Sequence, residues 1–121
     1  RDFAYCDSGM IPWLLITELL SRSGQSLAAQ VEARMRAFPC SGEINFRVED
    51  APGRIRAILA AYADAQPLLD ETDGVSLDFP DWRFNLRCSN TEPLLRLNVE
   101  TRGDAALLEQ RTAELRALIN A

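Results

Sequence analysis

Val75-Ser76-Leu77-Asp78-Phe79-Pro80-Asp81-Trp82-Arg83-Phe84-Asn85-Leu86-Arg87 alternates apolar and polar residues twice over, with Pro-Asp in the middle. A side-chain period of two puts Val75, Leu77 and Phe79 on one face of a strand, and Trp82, Phe84 and Leu86 on one face of the next. The stretch predicts a half-buried hairpin. Pro-Asp is not one of the favoured primed turns, so a longer loop stays open as an alternative. Downstream, Leu95, Leu97 and Val99 alternate again, and upstream so do Ile44, Phe46 and Val48. Between the first strand and the hairpin, Ile55, Ile58, Leu59 and Tyr62 fall at i, i+3, i+4 and i+7, the stripe of an amphipathic helix. Asp50 is placed to cap it and Pro52 suits its first turn; Asp104 is placed to cap a last helix with Leu108, Leu115, Leu118 and Ile119 inward. The order strand, helix, three strands, helix predicts an α+β domain: a four-stranded antiparallel sheet, helices on one face, the second face open.

Ahead of this domain, residues 8 to 37 read as two helices. The first starts near Ser8 in Asp7-Ser8-Gly9 with Pro12 in its first turn; the second follows the Ser23-Gly24-Gln25-Ser26 break and carries Leu27, Val31 and Met35 on one stripe. Phe38-Pro39-Cys40-Ser41-Gly42 breaks the helical period, which sets the expected division at 1–37 and 38–121. The longest apolar stretch, Gly9 to Leu20, is interrupted by Thr17 and Glu18 and falls short of the roughly 20 residues of a membrane span. It predicts a buried helix and no membrane partner. Arg1 in place of Met, with no secretory pattern behind it, is what a piece of a longer protein would show.

Composition narrows the chemistry. With 121 residues, 47% of them apolar and 26% charged, the chain can bury a core without disulfide staples. It has no histidine and no lysine: all 13 of its basic residues are arginines. Imidazole catalysis, a histidine-bearing zinc site, a Schiff base and a P-loop lysine are therefore excluded within it. A formal charge of −5 argues against nucleic acid or an anionic membrane held by general electrostatics. Cys6, Cys40 and Cys88 are an odd number at wide spacing, which fits a reducing, cytoplasmic setting.

An anion would need a local site, and one segment offers it. Arg87-Cys88-Ser89-Asn90-Thr91-Glu92-Pro93 is a polar loop between two strands. Arginine supplies a permanently charged planar fork for phosphate oxygens, Ser, Asn and Thr add short donors, and successive backbone N–H groups can form an anion nest. Acidic residues crowd the stretch 64–81, whereas Arg83, Arg87, Arg96 and Arg102 gather around the loop. Judged by spacing alone, an ordinary hairpin loop is the stronger reading, because turns favour Asn, Ser and Pro and the glycines of the known phosphate loops are missing. Asp70, Glu71 and Asp73 read as a solvated turn rather than a metal site, Cys88 as a small spacer rather than a reactive thiol, and Trp82 and Phe84 as core.

Arg87-Cys88-Ser89-Asn90-Thr91-Glu92-Pro93 with Leu94-Leu95-Arg96-Leu97-Asn98-Val99-Glu100 resembles the phosphate-binding loop and following strand of the α-D-phosphohexomutases, in particular the bacterial phosphomannomutase/phosphoglucomutase group. Asp73-Gly74-Val75 resembles the opening of that family's hairpin, and Arg1-Asp2-Phe3 through Asp7-Ser8-Gly9-Met10 resembles the end of its third domain. The resemblance implies that residues 1–37 are a helical remnant of that third domain and 38–121 the fourth, of TATA-binding-protein-like fold. It further implies an isomerase that exchanges hexose 1-phosphate and hexose 6-phosphate of mannose or glucose through a phosphoserine and a bisphosphorylated sugar. Arg87, Ser89, Asn90 and Thr91 would bind the substrate phosphate. The catalytic serine and the magnesium ligands would lie outside this chain, which alone would be inactive and hold no cofactor; Mg2+ and a hexose 1,6-bisphosphate activator are expected for the parent. The implied partners are a hexose phosphate and the remaining domains of the enzyme. Cys88 departs from the Gly or Ala common in the family, and a thiol is small enough for the loop to survive. The alternative is a non-catalytic α+β protein-interaction or regulatory module using the open sheet face.

Overall fold

The computed structural model describes residues 8–89 and 91–121, which form two compact units, one up to Arg34 and one over Met35–Ala121. In the first, helix α1 (Met10–Ser23) ends at Gly24, whose left-handed φ of 65° lets its N–H reach the Leu20 carbonyl. Ser26 then caps α2 (Leu27–Ala37) by accepting from the Ala29 N–H at 3.2 Å. Asp7, and with it part of the expected helix start, lies outside the described residues. Met10, Ile11, Trp13, Leu14, Leu15, Ile16 and Leu19 of α1 are exposed, where a buried helix was expected. Among the described residues no helix is long and apolar enough to cross a membrane.

The second unit contains β1 (Ile44–Arg47), α3 (Ala51–Tyr62), a short 3-10 turn (Ala63–Ala65), β2 (Leu68–Asp70), β3 (Val75–Asp78), β4 (Trp82–Cys88), β5 (Leu94–Thr101) and α4 (Ala105–Asn120). All strand pairs are antiparallel, in the order β1-β5-β4-β3-β2. The sheet thus has five strands, not four. The extra one, β2, is three residues long and exposed, too short for an alternating pattern to declare itself beside Pro67. Pairing also extends past β1, since Ser41 N–H donates to the Val99 carbonyl and Thr101 N–H to that of Pro39, each at 2.9 Å. The Phe38–Gly42 breaker segment therefore edges the sheet.

Alternation sorts the faces as the sequence predicts. Phe46, Leu77, Trp82, Phe84, Leu86, Leu95, Leu97 and Val99 are buried on one side, against Ile58 and Tyr62 of α3 and Leu115 and Ile119 of α4. Asp50 and Asp104 do cap these helices, accepting from the N–H groups of Gly53 at 2.8 Å and Leu107 at 2.9 Å. Tyr62 sits edge-on to Phe79 and Trp82, its hydroxyl donating to Glu114 at 2.8 Å. Burial, and then that bond, push its pKa upward, so it stays a protonated donor. The other face carries Asn45, Arg83, Asn85, Arg87, Arg96, Asn98 and Glu100.

Two details fix the hairpin. Phe79 N–H donates to the Trp82 carbonyl at 2.9 Å, so Pro80-Asp81 is the whole link. An unfavoured turn is tolerated because Arg102 grips it from the end of β5, donating to the Phe79 and Pro80 carbonyls and pairing with Asp78 at 3.1 Å. At the other end, Gly74 has φ 73°, and a Cβ there would lie 2.4 Å from the Leu86 carbonyl oxygen and 3.0 Å from Arg87 Cα. Only glycine permits that approach.

Gly74→Ala combines left-handed strain with a backbone collision and should lower stability by at least about 1–3 kcal/mol. Leu97→Ala, a deletion from a site with no exposure, should lower it by about 2–5 kcal/mol. Urea unfolding of the two variants, with an unchanged denaturant slope, checks both.

Candidate functional site

The loop that follows β4 is closed by the strands themselves. Ser89 N–H donates to the Leu94 carbonyl at 2.8 Å, adding one rung beyond Cys88↔Leu95, and Leu94 N–H donates to the Glu92 carbonyl at 2.7 Å. Inside the loop the Ser89 hydroxyl lies 3.4 Å from the Thr91 hydroxyl and accepts from the Thr91 N–H at 3.4 Å. Both hydroxyls are thus gathered on one side of the turn. Asn90, the remaining residue singled out from the sequence, lies outside the described residues.

β4 and β5 bring more cations to this turn than the loop contains. The register pairs Arg87 with Arg96, directly opposite on the polar face. Like charges so placed repel, and two carboxylates answer them. Asp73 Oδ2 accepts from Arg87 Nη1 at 3.1 Å. Glu43 Oε2 lies 3.8 Å from Arg87 Nη2 and 3.7 Å from Arg96 Nη1, one oxygen shared between two guanidiniums. Arg96 keeps a buried Nε with no acceptor among the described residues.

Asp73 is delivered by its backbone. Gly74 packs on Leu86 and Arg87, and Asn85 Nδ2 donates to the Asp73 carbonyl at 2.8 Å and to Ser76 Oγ at 3.0 Å. The preceding turn is held by Asp70, whose carboxylate accepts from the Thr72 hydroxyl and N–H; these bonds hold its carboxyl below the usual range. Asp70, Glu71 and Asp73 thus form a turn and a counter-ion. Among the described residues no three His, Cys, Asp or Glu side chains come together as metal ligands.

One open cavity of about 510 Å³ is bounded by Asp73, Gly74, Arg87, Cys88, Ser89, Thr91, Arg96 and Ile55. The structure therefore brings Arg87, Ser89 and Thr91 together, and adds Arg96, which the sequence reading counted only among the arginines around the loop, and Glu43 and Asp73, to which it gave no role in the site. One signal for Arg96 was available: with the loop closed at Ser89 and Leu94, counting back along both strands puts 87 opposite 96. Cys88 and Cys40 are free thiols. Permanent cations flanked by hydroxyls at the mouth of a cavity suit a phosphate or carboxylate.

Comparison with known proteins identifies the family of the domain. The family model described as "Phosphoglucomutase/phosphomannomutase, C-terminal domain" matches residues 43–118. A protein of Xanthomonas campestris pv. campestris (strain B100) named "Phosphohexose mutases" is 69% identical over 119 residues, covering 98% of this chain and 27% of that protein. Proteins named "Phosphomannomutase" from Salmonella montevideo and Escherichia coli (strain K12) are 58% and 52% identical, each over 99% of this chain and 26% of their own length. The chain spans about a quarter of the length of these curated relatives. Its antiparallel sheet with helices on one face is the TATA-binding-protein-like fold of the matched domain. The chain belongs to the phosphoglucomutase/phosphomannomutase family, whose C-terminal domain occupies residues 43–118.

Proposed function

We propose that this domain grips the non-reacting phosphate of a hexose phosphate within a parent mutase that exchanges hexose 1-phosphate and hexose 6-phosphate. The observation that carries the reading is the cavity in which Arg87 and Arg96 stand side by side with the hydroxyls of Ser89 and Thr91. Arg87 offers a fork for two phosphate oxygens, Arg96 adds a second charge, and the hydroxyls donate to the remaining oxygen; Asn90, by family resemblance, joins them.

In this proposal the parent supplies a phosphoserine and magnesium from outside this chain, and the metal provides charge neutralisation at the transferring phosphoryl group. The part of this domain is positional. A phosphate held at a distance from the reacting centre fixes the sugar so that its other end meets the phosphoserine, and that remote binding energy is usable at the transition state. After the first transfer the bisphosphorylated sugar turns round, and the clamp must release one phosphate and accept the other. The exposed apolar side of α1 would be covered by the rest of the parent. The free thiols of Cys40 and Cys88 suit a reducing, cytoplasmic location, where sugar phosphates are retained. Family membership weighs against the alternative of a non-catalytic interaction module.

Two outcomes are expected. The purified 121-residue chain should read as background in a coupled mutase assay with magnesium and mannose or glucose 1-phosphate, and turnover that survives repurification would sink the assignment. In the full-length enzyme, Arg87→Ala should lose about 1.5–3 kcal/mol of transition-state binding, roughly tenfold to a few hundredfold in kcat/KM. Because the intermediate would escape more often, activity should also depend more on added hexose bisphosphate. Arg87→Lys should recover part, keeping the charge but not the fork. Ser89→Ala, which removes a neutral donor, should lose only about 0.5–1.5 kcal/mol. Unchanged kcat/KM and no extra intermediate release in Arg87→Ala would return the loop to an ordinary hairpin.

A further inference from the structure

The arginines of the cavity already have partners. Arg87, Arg96, Asp73 and Glu43 together carry no net formal charge, so an arriving phosphate must compete with two carboxylates for the guanidiniums. Both carboxylates are set up to be displaced. Asp73 has a pinned backbone, held by Asn85 and by the close approach of Gly74, but a side chain 73% exposed that can swing into solvent. Glu43 stands 3.7–3.8 Å from both guanidiniums, beyond good hydrogen-bond distance, so that its hold is coulombic. Partly exposed pairs of this kind are weak.

We propose that Asp73 and Glu43 are the exchange partners of the clamp: they hold Arg87 and Arg96 in the binding pose between ligands and compete with phosphate for them, thereby setting how readily the domain lets a phosphate go. The inference rests on the reading of Arg87 as a phosphate clamp. A clamp of unopposed cations would hold each phosphate of the bisphosphorylated intermediate too long, since binding energy gained equally in ground and transition states does not raise kcat. With carboxylates ready to return, release becomes a swap of one anion for another. The arginines are never left facing each other uncompensated.

A carboxylate-to-amide change separates holding from competing. Asparagine at 73 keeps an oxygen acceptor of the same reach for Arg87 but removes the competing charge. Steady-state kinetics with mannose 1-phosphate, and inhibition by inorganic phosphate, are measured for full-length Asp73→Asn and Glu43→Gln beside Arg87→Ala. KM and the phosphate inhibition constant should fall by roughly three- to tenfold, the range for loss of one partly screened charge. kcat should fall with KM as release becomes limiting, and dependence on added hexose bisphosphate should weaken, the reverse of Arg87→Ala. Raised salt should shrink the difference. A residue with a purely structural role would raise KM instead. Unchanged or weaker phosphate affinity in a folded Asp73→Asn, judged by its Tm, overturns the proposal; should that variant not fold, Glu43→Gln decides by the same criterion. If Arg87→Ala itself leaves kcat/KM unaltered, the clamp reading fails and this inference falls with it. A normal loss in Arg87→Ala without tightening in the amide variants overturns the exchange role alone.

Discussion

Seven consecutive pairs between β4 and β5, from Trp82↔Thr101 to Cys88↔Leu95, fix both the core and the site. The same ladder that buries Phe84, Leu86, Leu97 and Val99 on one side sets Arg87 beside Arg96 on the other. Side-chain direction has a period of two, so a slip of one residue would turn the arginines inward and the leucines out. Burial of the apolar face thereby holds the charged face in register, and the geometry of the cavity follows from the packing of α3 and α4 without any strong interaction inside the cavity itself.

The ion pairs of the polar face contribute differently. Arg83–Glu100 at 3.8 Å, Arg96–Glu43 at 3.7 Å and Arg87–Asp73 at 3.1 Å join side chains that keep a third to three quarters of their surface in solvent. Such pairs are worth between nothing and about 1 kcal/mol each, too little to define a fold whose buried side chains are worth about 1.5–3 kcal/mol apiece. Weakness is an advantage where a ligand must replace one partner. Arg102 is a separate case: it satisfies two turn carbonyls and Asp78 at once, and so allows a Pro-Asp link that turn chemistry alone disfavours.

What could be read from sequence follows from how local each signal is. The runs Val75–Phe79, Trp82–Leu86 and Leu95–Val99 declare their strands because alternation needs only neighbours, and Asp50 and Asp104 declare helix starts because a cap acts within three residues. β2 stayed hidden because three exposed residues carry no period. The apolar character of α1 was legible and its exposure was not, since burial depends on what lies against a helix. In the site, Arg87, Ser89 and Thr91 are near neighbours and stood out together. Glu43, Asp73 and Arg96 come from three other segments, and only strand register and the Gly74 approach bring them to Arg87. Family resemblance drew attention to the loop, not to its counter-ions.

Cys88 illustrates how one strand serves both faces at the point where the cavity forms. It is the last residue of β4, opposite Leu95, and its half-buried side chain packs against the core cluster while Arg87, one residue earlier, points to the polar side. A free thiol in that position behaves as a small hydrophobe, filling slightly more space than Ala and making no demand for a polar partner. Ile55 of α3 borders the same cavity from the helical layer. The cavity therefore lies at the end of the sheet, where the apolar layer stops and the two arginines begin. Ile55 and Cys88 thus border the cavity alongside the two guanidiniums, and apolar neighbours that limit water strengthen charge-assisted hydrogen bonds.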